Sequence, residues 1–411
     1  MSEKLKNIII VYDCAEINGG AANVAIQSAI ALSSLGYNTY FFASSGPINE
    51  DLEKNKVYVK CLGLNDINHG SKLEAIRNGI WNKKVKIEFE EFLSDFSPNE
   101  TIVHIHGWVK ALSSSVIKVA CKKGFKAIVT LHDYFTLCPN GGFYDYKKKR
   151  ICNRKPMSIG CMFCNCDKRN YAQKIWRVAR QVVQDKNVRK NSNVAYISIS
   201  QKNEQVVKPY VKSKEFYRVD NPIQLADGFI EDCSKSNRFL YVGRLSDEKG
   251  IELFCQAIKD LKIDYKIEGI VVGGGDILDK LKTDYPEIQF EGWKTSDEVK
   301  AYIKSARVLV LPSKWYEGAP LTILEAMSAG LPCIVSDCTS AVELISDGKN
   351  GYLFNSGSLE SLKEKMLLAM KDEIKLIQKN VKEVDYGIYN ANAHIKRLLT
   401  VYENILKEQR R

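Results

Sequence analysis

The sequence predicts an α/β fold with two doubly wound parallel sheets, each in its own domain. Along the 411 residues, short β-branched runs alternate with stretches of helical periodicity. The runs are apolar on both faces, as expected for strands of parallel sheets that helices cover. The alternation restarts near residue 236, and the chain is long enough for two domains of about 150–200 residues. We expect the two domains to face each other across a cleft, with ligands at the carboxyl ends of the strands.

The individual elements follow from the same periodicities. In the first domain, residues 1–222, we predict strands at 7–13, 39–43, 57–62, 101–106, 126–131 and 194–199, and a helix at 21–35. In the second domain, residues 223–385, we predict strands at 238–242, 269–272, 288–290, 307–311 and 332–335. Its helices are expected at 251–261, 296–305, 321–329 and 359–371, and the final segment 386–411 also has helical spacing.

Composition is that of a soluble globular protein, with 45% hydrophobic residues, 27% charged residues and a mean hydropathy of −0.24. No apolar run approaches the roughly 18 residues that a spanning helix needs. The first apolar run, residues 8–12, is shorter than the core of a signal peptide, about 7–15 residues. We therefore expect a cytoplasmic protein whose cysteines are reduced thiols or metal ligands.

The formal net charge of +11 is concentrated in one segment. Residues 140–190 hold 14 Lys and Arg against three Asp, which accounts for the whole excess. This segment is predicted to meet an anionic partner.

Gly19 and Gly20 follow the first predicted strand and open a helix. Two glycines let the backbone approach a ligand closely, and the helix N-terminus offers N–H groups to an anion. A helix-opening loop without a ligand is the equal alternative. The pattern G-x-G-x-x-G is absent, so a nicotinamide-dependent enzyme ranks last among the functions considered.

Two cations follow the first strand of the second domain, in the stretch GRLSDEKG. Arg244 and Lys249 come just after the carboxyl end of the strand, where a diphosphate would bind. The guanidinium offers a fork of donors and the ammonium a point charge. Their position favours diphosphate binding over the alternative of solvated surface charges.

The stretch EGAPLTILE brackets a predicted helix start with two carboxylates. Proline suits the first helical position, and the N–H groups of residues 321–323 would then point outward toward a phosphate. Eight residues of helix rise about 12 Å, which is too far for a glycosidase acid/base couple. The carboxylates suit hydroxyl groups at the two ends of a nucleotide sugar. The residues predicted to contact this donor are Glu317, Gly318, Ala319, Pro320, Leu321, Thr322 and Glu325.

Three motifs together resemble the retaining glycosyltransferases of family 4, the group 1 type. They are G-R-L-x-x-x-K-G at 243–250, E-x7-E at 317–325 and E-A-M-S-A-G-L-P at 325–332. The resemblance implies the GT-B fold and transfer of a hexose (EC 2.4) from a UDP- or GDP-linked donor. It also implies a saccharide acceptor, often lipid-linked, in the synthesis of bacterial capsule, O-antigen or exopolysaccharide. In that family the first domain binds the acceptor and the C-terminal segment returns toward it.

The resemblance further implies residue roles. Arg244 and Lys249 would bind the donor diphosphate, Glu317 the donor sugar and Glu325 the ribose hydroxyls, while Gly20 would let the first loop approach the phosphates. The sequence contains no Asp-x-Asp motif, and transfer in the family is metal-independent, so no cofactor is expected for catalysis. Backbone amides and the two cations would stabilise the leaving nucleoside diphosphate.

Polar residues end two strands of the first domain. His106 ends one strand, and His132 and Asp133 follow the next in the stretch TLHD. In family members with a TLHD-like segment this histidine lies beside the donor sugar, so we favour His132 over His106 for a positioning and electrostatic role in catalysis. Asp133 would orient His132 or bind the acceptor. A satisfied structural histidine is the alternative.

Five cysteines lie within 29 residues of a segment without apolar periodicity, namely Cys138, Cys152, Cys161, Cys164 and Cys166. Four thiolates from this set would form a structural zinc site, and free thiols under a mobile loop are the alternative.

The same basic segment raises a nucleic-acid-binding alternative, which is disfavoured because its features are confined to one insert, 138–190. Within the same fold, an epimerase or a glycogen-type synthase is the alternative enzyme.

Residues 171–190 contain a predicted amphipathic helix. Its apolar face comprises Tyr171, Ile175, Ala179, Val182 and Val183, with Trp176 at the edge and four cations elsewhere (Lys174, Arg177, Arg180 and Lys186). Such a helix suits an anionic membrane surface and would hold the protein peripherally on the inner face of the cell membrane. A surface helix packed on its own domain is the alternative.

Overall fold

The computed structural model describes residues 5–409 and divides the chain into two compact units. Within the described range, the first unit comprises residues 5–142, 153–222 and 391–409. The second unit comprises residues 143–152 and 223–390. No helix in the described part of the chain has the length and apolarity needed to cross a membrane.

The first unit contains a seven-stranded parallel sheet in the order β3-β2-β1-β4-β5-β8-β9. Strand β1 (Asn7–Cys14) is buried along its whole length, and its residues 8–11 are apolar on both faces. The strands are β1 (Asn7–Cys14), β2 (Asn38–Ser45), β3 (Tyr58–Cys61), β4 (Thr101–Ile105), β5 (Ala127–Thr130), β8 (Val194–Ser198) and β9 (Phe216–Arg218).

The helices of the first unit connect these strands. They are α1 (Gly20–Ser34), α2 (Glu50–Lys54), α3 (Lys72–Ile80), α4 (Lys83–Phe92), α5 (Ser115–Lys122), α6 (Ile159–Met162), α7 (Tyr171–Asn187), α8 (Gln201–Val207) and α15 (Ala391–Gln409). Helix α15 belongs to this unit and is anchored by polar contacts as well as by apolar packing. The Tyr402 hydroxyl lies 2.6 Å from His104 Nδ1, and His394 Nδ1 lies 2.8 Å from the carbonyl oxygen of Asp220.

The second unit contains a six-stranded parallel sheet in the order β12-β11-β10-β13-β14-β15. The strands are β10 (Arg238–Val242), β11 (Glu268–Val272), β12 (Gln289–Gly292), β13 (Val308–Leu311), β14 (Cys333–Ser336) and β15 (Tyr352–Phe354). The helices are α9 (Ile251–Tyr265), α10 (Leu278–Asp284), α11 (Ser296–Ser305), α12 (Leu321–Ser328), α13 (Leu359–Ala369) and α14 (Ile374–Lys382). The strand order reverses between β10 and β13, so the loops that follow these two strands are neighbours at the switch point.

The predicted fold class and all eleven predicted strands are confirmed, with bounds that differ by one or two residues. The edge strands β9 and β15 were not predicted because each has only three residues and its burial pattern is too short to show a period. Several helices of the first unit, α3 and α4 among them, were also missed. These two helices have only nine and ten residues, so few repeats of a helical pattern are present in the sequence.

A short antiparallel hairpin, β6 (Tyr144–Asp145) and β7 (Arg150–Ile151), lies inside the cysteine-rich insert. Its residues 143–152 belong to the second unit. The prediction that the entire insert 138–190 lies in the first domain is therefore wrong for this hairpin. Tertiary contacts of the hairpin, which the sequence pattern does not encode, decide its place.

Candidate active site

A buried ion pair joins the two loops at the switch point of the second sheet. Lys249, at the end of the loop after β10, places its Nζ 2.7 and 2.9 Å from the two carboxylate oxygens of Glu317. Glu317 lies in the loop after β13, 68 residues further along the chain. The parallel topology brings the two together because β10 and β13 are adjacent strands with the same direction.

The Glu317 carboxylate is almost fully enclosed, with 8% of the residue exposed. The Ser313 hydroxyl donates to Oε1 at 2.7 Å. Burial acts to raise the pKa of Glu317, but the Lys249 ammonium and the hydrogen bonds from Lys249 and Ser313 outweigh it and hold the pKa below its usual value. Glu317 is therefore a carboxylate, an acceptor of hydrogen bonds, at neutral pH.

A second cation at the same edge is held by a carboxylate that the sequence analysis did not single out. Arg244 Nη2 donates to Glu248 Oε1 at 2.9 Å, and Glu248 is 1% exposed whereas the Arg244 side chain is 57% exposed. The buried carboxylate thus orients an accessible guanidinium. In the sequence, Glu248 is an acidic residue between the two cations, and such a residue is equally typical of an exposed polar loop.

Glycines allow these loops to pack backbone against backbone. Gly250 has φ +70°, and a Cβ added there would lie 1.8 Å from the carbonyl oxygen of Pro312. A Cβ at Gly273 would lie 2.0 Å from the Gly243 oxygen, and one at Gly275 would lie 2.2 Å from the Leu245 oxygen. The run Gly273–Gly275 after β11 was missed in the sequence analysis, although three glycines directly after a buried strand were the available signal.

The N-terminus of α12 opens beside Glu317. Leu321 is the first helical residue, as predicted, and Pro320 is the N-cap residue rather than the first residue of the helix. The N–H of Ile323 donates to the Pro320 carbonyl oxygen at 3.1 Å and is therefore not available to a ligand. The N–H groups of Leu321 and Thr322 have no hydrogen-bond partner among residues 5–409 and remain suited to an anion.

Glu325 lies one turn further along α12 and is half-buried. Its carboxylate accepts no hydrogen bond from the part of the chain that the structure describes. Burial raises the pKa of Glu325, and the charge of Lys300 opposes that rise. A partly enclosed carboxylate without a protein donor is suited to accept hydrogen bonds from hydroxyl groups of a ligand.

The β6–β7 hairpin packs against the loop that carries Lys249. The buried Tyr144 hydroxyl donates to Asp247 Oδ2 at 3.0 Å, and the Lys314 and Lys149 ammonium groups lie 3.0 and 3.2 Å from Oδ1. Asp247 therefore ties the hairpin to both switch-point loops. Neither Asp247 nor Tyr144 was predicted, because their relation depends on contacts between segments about 100 residues apart.

In the first unit, Gly19 is the N-cap of α1 and Gly20 its first helical residue. A Cβ at Gly19 would meet no atom within 4 Å, so the space in front of this helix end is open. The approach of a ligand to Gly19 and Gly20 stays a prediction.

Three histidines form a row at the carboxyl ends of β4 and β5. His106 Nδ1 lies 2.9 Å from His132 Nε2, and the rings of His104 and His106 are 4.1 Å apart. Although one edge of His132 is accessible, burial lowers its pKa to about 3, so the ring is neutral at physiological pH. His106 Nε2 is buried and has no hydrogen-bond partner within residues 5–409.

Two acidic residues shape the loops around these histidines. Asp133 is exposed, and its Oδ1 accepts a hydrogen bond from the N–H of Phe135 at 2.9 Å rather than from His132. Asp13, at the end of β1, accepts from the N–H groups of Lys110, Ala111 and Leu112 at 2.7–3.0 Å. Asp13 was not predicted as a site residue, yet it fixes the loop that follows His106.

The structure does not arrange the five cysteines as zinc ligands. Within residues 5–409 no group of three or more His, Cys, Asp and Glu side chains could hold a metal ion. Cys152 belongs to the second unit, whereas the other four lie in the first unit around Lys174, which is 1% exposed and hydrogen-bonds the Cys166 sulfur. A buried ammonium among the thiols does not fit a zinc ion at the same place, and the zinc site stays a prediction without a built ligand set.

Comparison with known proteins agrees with the site of the second unit. The family model for glycosyl transferases of group 1 matches residues 229–386. The UDP-Gal:α-D-GlcNAc-diphosphoundecaprenol α-1,3-galactosyltransferase of Escherichia coli is 29% identical over 181 residues, which are 41% of this chain and 46% of that enzyme. The match thus spans about half the length of that relative.

Two further similarities extend over the whole chain. A 42.6 kDa protein in the cps region of Klebsiella pneumoniae is 25% identical over 400 residues, 92% of this chain and 97% of that protein. The structure of sucrose-phosphate synthase from Thermosynechococcus elongatus matches 98% of this chain and 100% of that chain with a TM-score of 0.71 and 17% identity. The GT-B fold predicted from the sequence is confirmed, and residues 229–386 are similar to the glycosyl transferases of group 1.

Proposed function

We propose that this protein transfers a hexose, with retention of the anomeric configuration, from a UDP-linked donor to a lipid-linked saccharide during assembly of a bacterial surface polysaccharide. The observation that carries the proposal is the Lys249–Glu317 pair at the switch point, directly beside the open N-terminus of α12. The printed name of the E. coli relative supports the donor and acceptor classes, since it combines UDP-galactose with a diphosphoundecaprenol-linked sugar.

In the proposed mechanism the donor diphosphate replaces Glu317 as the main partner of the Lys249 ammonium. Arg244 and the N–H groups of Leu321 and Thr322 complete the positive field around the phosphates. Glu317 accepts hydrogen bonds from the sugar hydroxyls. The bond between the anomeric carbon and the phosphate oxygen breaks, and a bond to the acceptor oxygen forms on the same face of the sugar.

This positive field stabilises the negative charge that develops on the leaving UDP. The departing phosphate oxygen takes the acceptor proton, so no side chain needs to act as a general base. Within the first unit we assign acceptor binding to Asp133 and a positioning role to His132, whose neutral ring can donate or accept a hydrogen bond. No metal ion is required in this scheme, and turnover is expected to persist in a chelator.

A donor panel tests the proposal. UDP-galactose, UDP-glucose and GDP-mannose are incubated with the purified protein and a lipid-diphosphate-linked saccharide, and the products are analysed by NMR. We expect a new glycosidic bond with the configuration of the donor, formed from a UDP-sugar. An isomerised donor without a new bond, or a product of inverted configuration, would contradict the proposal.

Replacement of Glu325 is expected to weaken donor binding more than the chemical step. Loss of hydrogen bonds between a carboxylate and the ribose hydroxyls costs about 1.5–3 kcal/mol, so Glu325→Ala should raise the Kd for UDP about 10- to 100-fold. The measurement is calorimetric titration with UDP and with a UDP analogue that lacks both ribose hydroxyls. The variant should bind the analogue as the unmodified protein does, and an equal loss for both ligands would refute the ribose contact.

A further inference from the structure

Helix α7 is oriented with its polar side inward. The buried residues of this helix are Lys174, Arg180, Gln181, Gln184 and Asp185. Three large apolar residues that share the opposite side, Tyr171, Ile175 and Val182, are 39%, 55% and 49% exposed. The sequence analysis offered membrane contact and packing on the own domain as alternatives. The structure shows that the helix packs on its unit, but through the polar side, so the apolar side stays uncovered.

Specific hydrogen bonds hold the helix in this orientation. Arg180 Nη2 donates to the Pro139 carbonyl oxygen at 3.0 Å, and Gln181 Nε2 donates to the Thr136 carbonyl oxygen at 3.2 Å. Gln184 Oε1 accepts from the indole N–H of Trp108 at 2.8 Å. Rotating the apolar side inward would leave these buried polar groups without partners, at a cost of about 1–3 kcal/mol each. The exposure of the apolar side is therefore built into the fold.

Neighbouring segments extend the apolar surface beyond α7. Helix α3 is joined to α7 by the Trp176 indole N–H, which donates to the Ile76 carbonyl oxygen at 3.0 Å. The Tyr171 hydroxyl donates to the Phe163 carbonyl oxygen, just after α6, at 3.3 Å. We call the resulting surface the α3–α7 face, and its exposed apolar side chains are Leu73, Ile76, Ile159, Phe163, Tyr171, Ile175 and Val182. A concentration of large apolar side chains in adjoining segments marks an interaction surface.

The charges around this face are mainly cationic, although Glu74 of α3 is also exposed. Residues 153–190 contain only two carboxylates, Asp167 and Asp185, and both are buried. Asp167 is paired with Arg177 at 3.0 Å. By contrast, Lys72 at the start of α3 and Lys186 in the last turn of α7 are exposed and form no ion pair among residues 5–409. An apolar face surrounded by cations is complementary to a partner that has an apolar interior and an anionic boundary.

A cavity beside the face repeats the same charge preference. It has a volume of about 450 Å³ and is lined by residues of the loop after β3, of α3, of the start of α4 and of the loop after β4. Its lining includes two carboxylates, Asp66 and Glu74, but also four cations that form no ion pair within the described part of the chain, Arg77, Lys83, Lys84 and Lys110. The cavity is thus ready to take an anionic group from a molecule that sits against the α3–α7 face.

We propose that the α3–α7 face docks the protein onto an anionic phospholipid bilayer. The apolar side chains enter the boundary between head groups and acyl chains, while the rim cations and the cavity meet lipid phosphates. The inference deepens the proposed function, because a lipid-linked acceptor lies at such a surface, but docking itself needs neither donor nor acceptor.

Vesicle co-sedimentation of the full chain tests this, without any sugar substrate present. One set of vesicles is phosphatidylcholine alone, and the other is an equal mixture of phosphatidylcholine and phosphatidylglycerol. We expect binding to the mixed vesicles, weakened at about 0.5 M salt, where the screening length falls to about 4 Å. Ile175→Glu should weaken partitioning about tenfold through lost apolar burial, and Lys72→Gln and Lys186→Gln about fivefold each.

Ile263→Glu is the matched control, since Ile263 on α9 is 87% exposed but lies in the second unit. It should bind the mixed vesicles as the unmodified protein does. Equal loss in Ile175→Glu and Ile263→Glu would overturn the proposal. A second result would also overturn it. If light scattering detected a dimer that Ile175→Glu converts to a monomer, the face would bind a second copy of the chain instead of a membrane. Failure of sugar transfer alone would not contradict the membrane-docking proposal, since a Lys249 variant should still bind vesicles.

Discussion

Lys249→Ala is expected to reduce sugar transfer about 100-fold or more and to destabilise the second unit. In the proposed mechanism the ammonium stabilises the leaving diphosphate, and removal of one such group typically has an effect of about 10²–10³ on kcat. The substitution also leaves the Glu317 carboxylate buried without its ion-pair partner. Breaking a buried pair from one side costs about 3 kcal/mol. Initial rates with UDP-sugar and calorimetric unfolding measure the two effects.

The stability effect should depend on pH in a defined direction. The folded-state pKa of Glu317 lies below the ordinary value of 4.5, so the pair contributes its full stability above that value and loses it as pH falls through the lowered pKa. Without Lys249, burial instead raises the pKa of Glu317, and acid then relieves the unpaired charge. The difference in unfolding temperature between the two proteins should therefore narrow as pH falls from 7 toward 4.

The double variant Lys249→Met/Glu317→Gln separates folding from catalysis. It removes both charges, so we expect most of the lost stability to return while transfer stays abolished. Recovery of activity together with stability would show that the ion pair acts only structurally, and it would remove the assignment of Lys249 to the donor phosphates.

Gly250→Ala is expected to disrupt the same site through the backbone. Alanine in the left-handed region costs about 1–2 kcal/mol, and its Cβ would lie 1.8 Å from the Pro312 carbonyl oxygen, which must move. We expect the two effects together to reduce the free energy of unfolding by about 3 kcal/mol or more, which lowers the unfolding temperature of a unit of this size by about 6–12 °C. Because Lys249 precedes Gly250 and Ser313 follows Pro312, UDP binding should be lost as well.

Gly348→Ala is the matched control within the same unit. Gly348 has φ +71°, almost the same as Gly250, but a Cβ there would meet nothing within 4 Å. It should show only the backbone cost of about 1–2 kcal/mol and should bind UDP normally. Equal shifts in the two variants would mean that the contact with Pro312 carries no energy and that the loops can relax around it.

The strands and the residues of the candidate site at the second sheet were accessible to sequence reasoning because they obey local rules. Buried parallel strands are continuous apolar runs, and residues directly after such strands collect at one edge of the sheet. Arg244, Lys249 and Glu317 were found in this way. The start of α12 at residue 321 was predicted as well, but the position of Pro320 as its N-cap was not, since proline is favoured at the first helical position.

Contacts between distant segments explain what the sequence analysis missed. From the sequence, Glu248 is an ordinary acidic residue of a loop, and only the structure shows that it is buried and paired with Arg244. Asp13 reads as the end of an apolar run until its three backbone hydrogen bonds to residues 110–112 are seen. The cysteine cluster suggested zinc from spacing alone, but the structure inserts Lys174 among four of the thiols and assigns Cys152 to the other unit.

The sequence by itself determined the two parallel sheets, the order of their elements and the motifs of the candidate site, because periodicity and strand-end positions are properties of neighbouring residues. Only the tertiary structure decided which side of α7 faces inward, which carboxylate holds each cation and to which unit the β6–β7 hairpin belongs. An amphipathic pattern has two sides, and helical spacing says only that they differ. Which one is buried depends on the partners that the rest of the fold provides, here the polar loop 133–141 and its carbonyl oxygens.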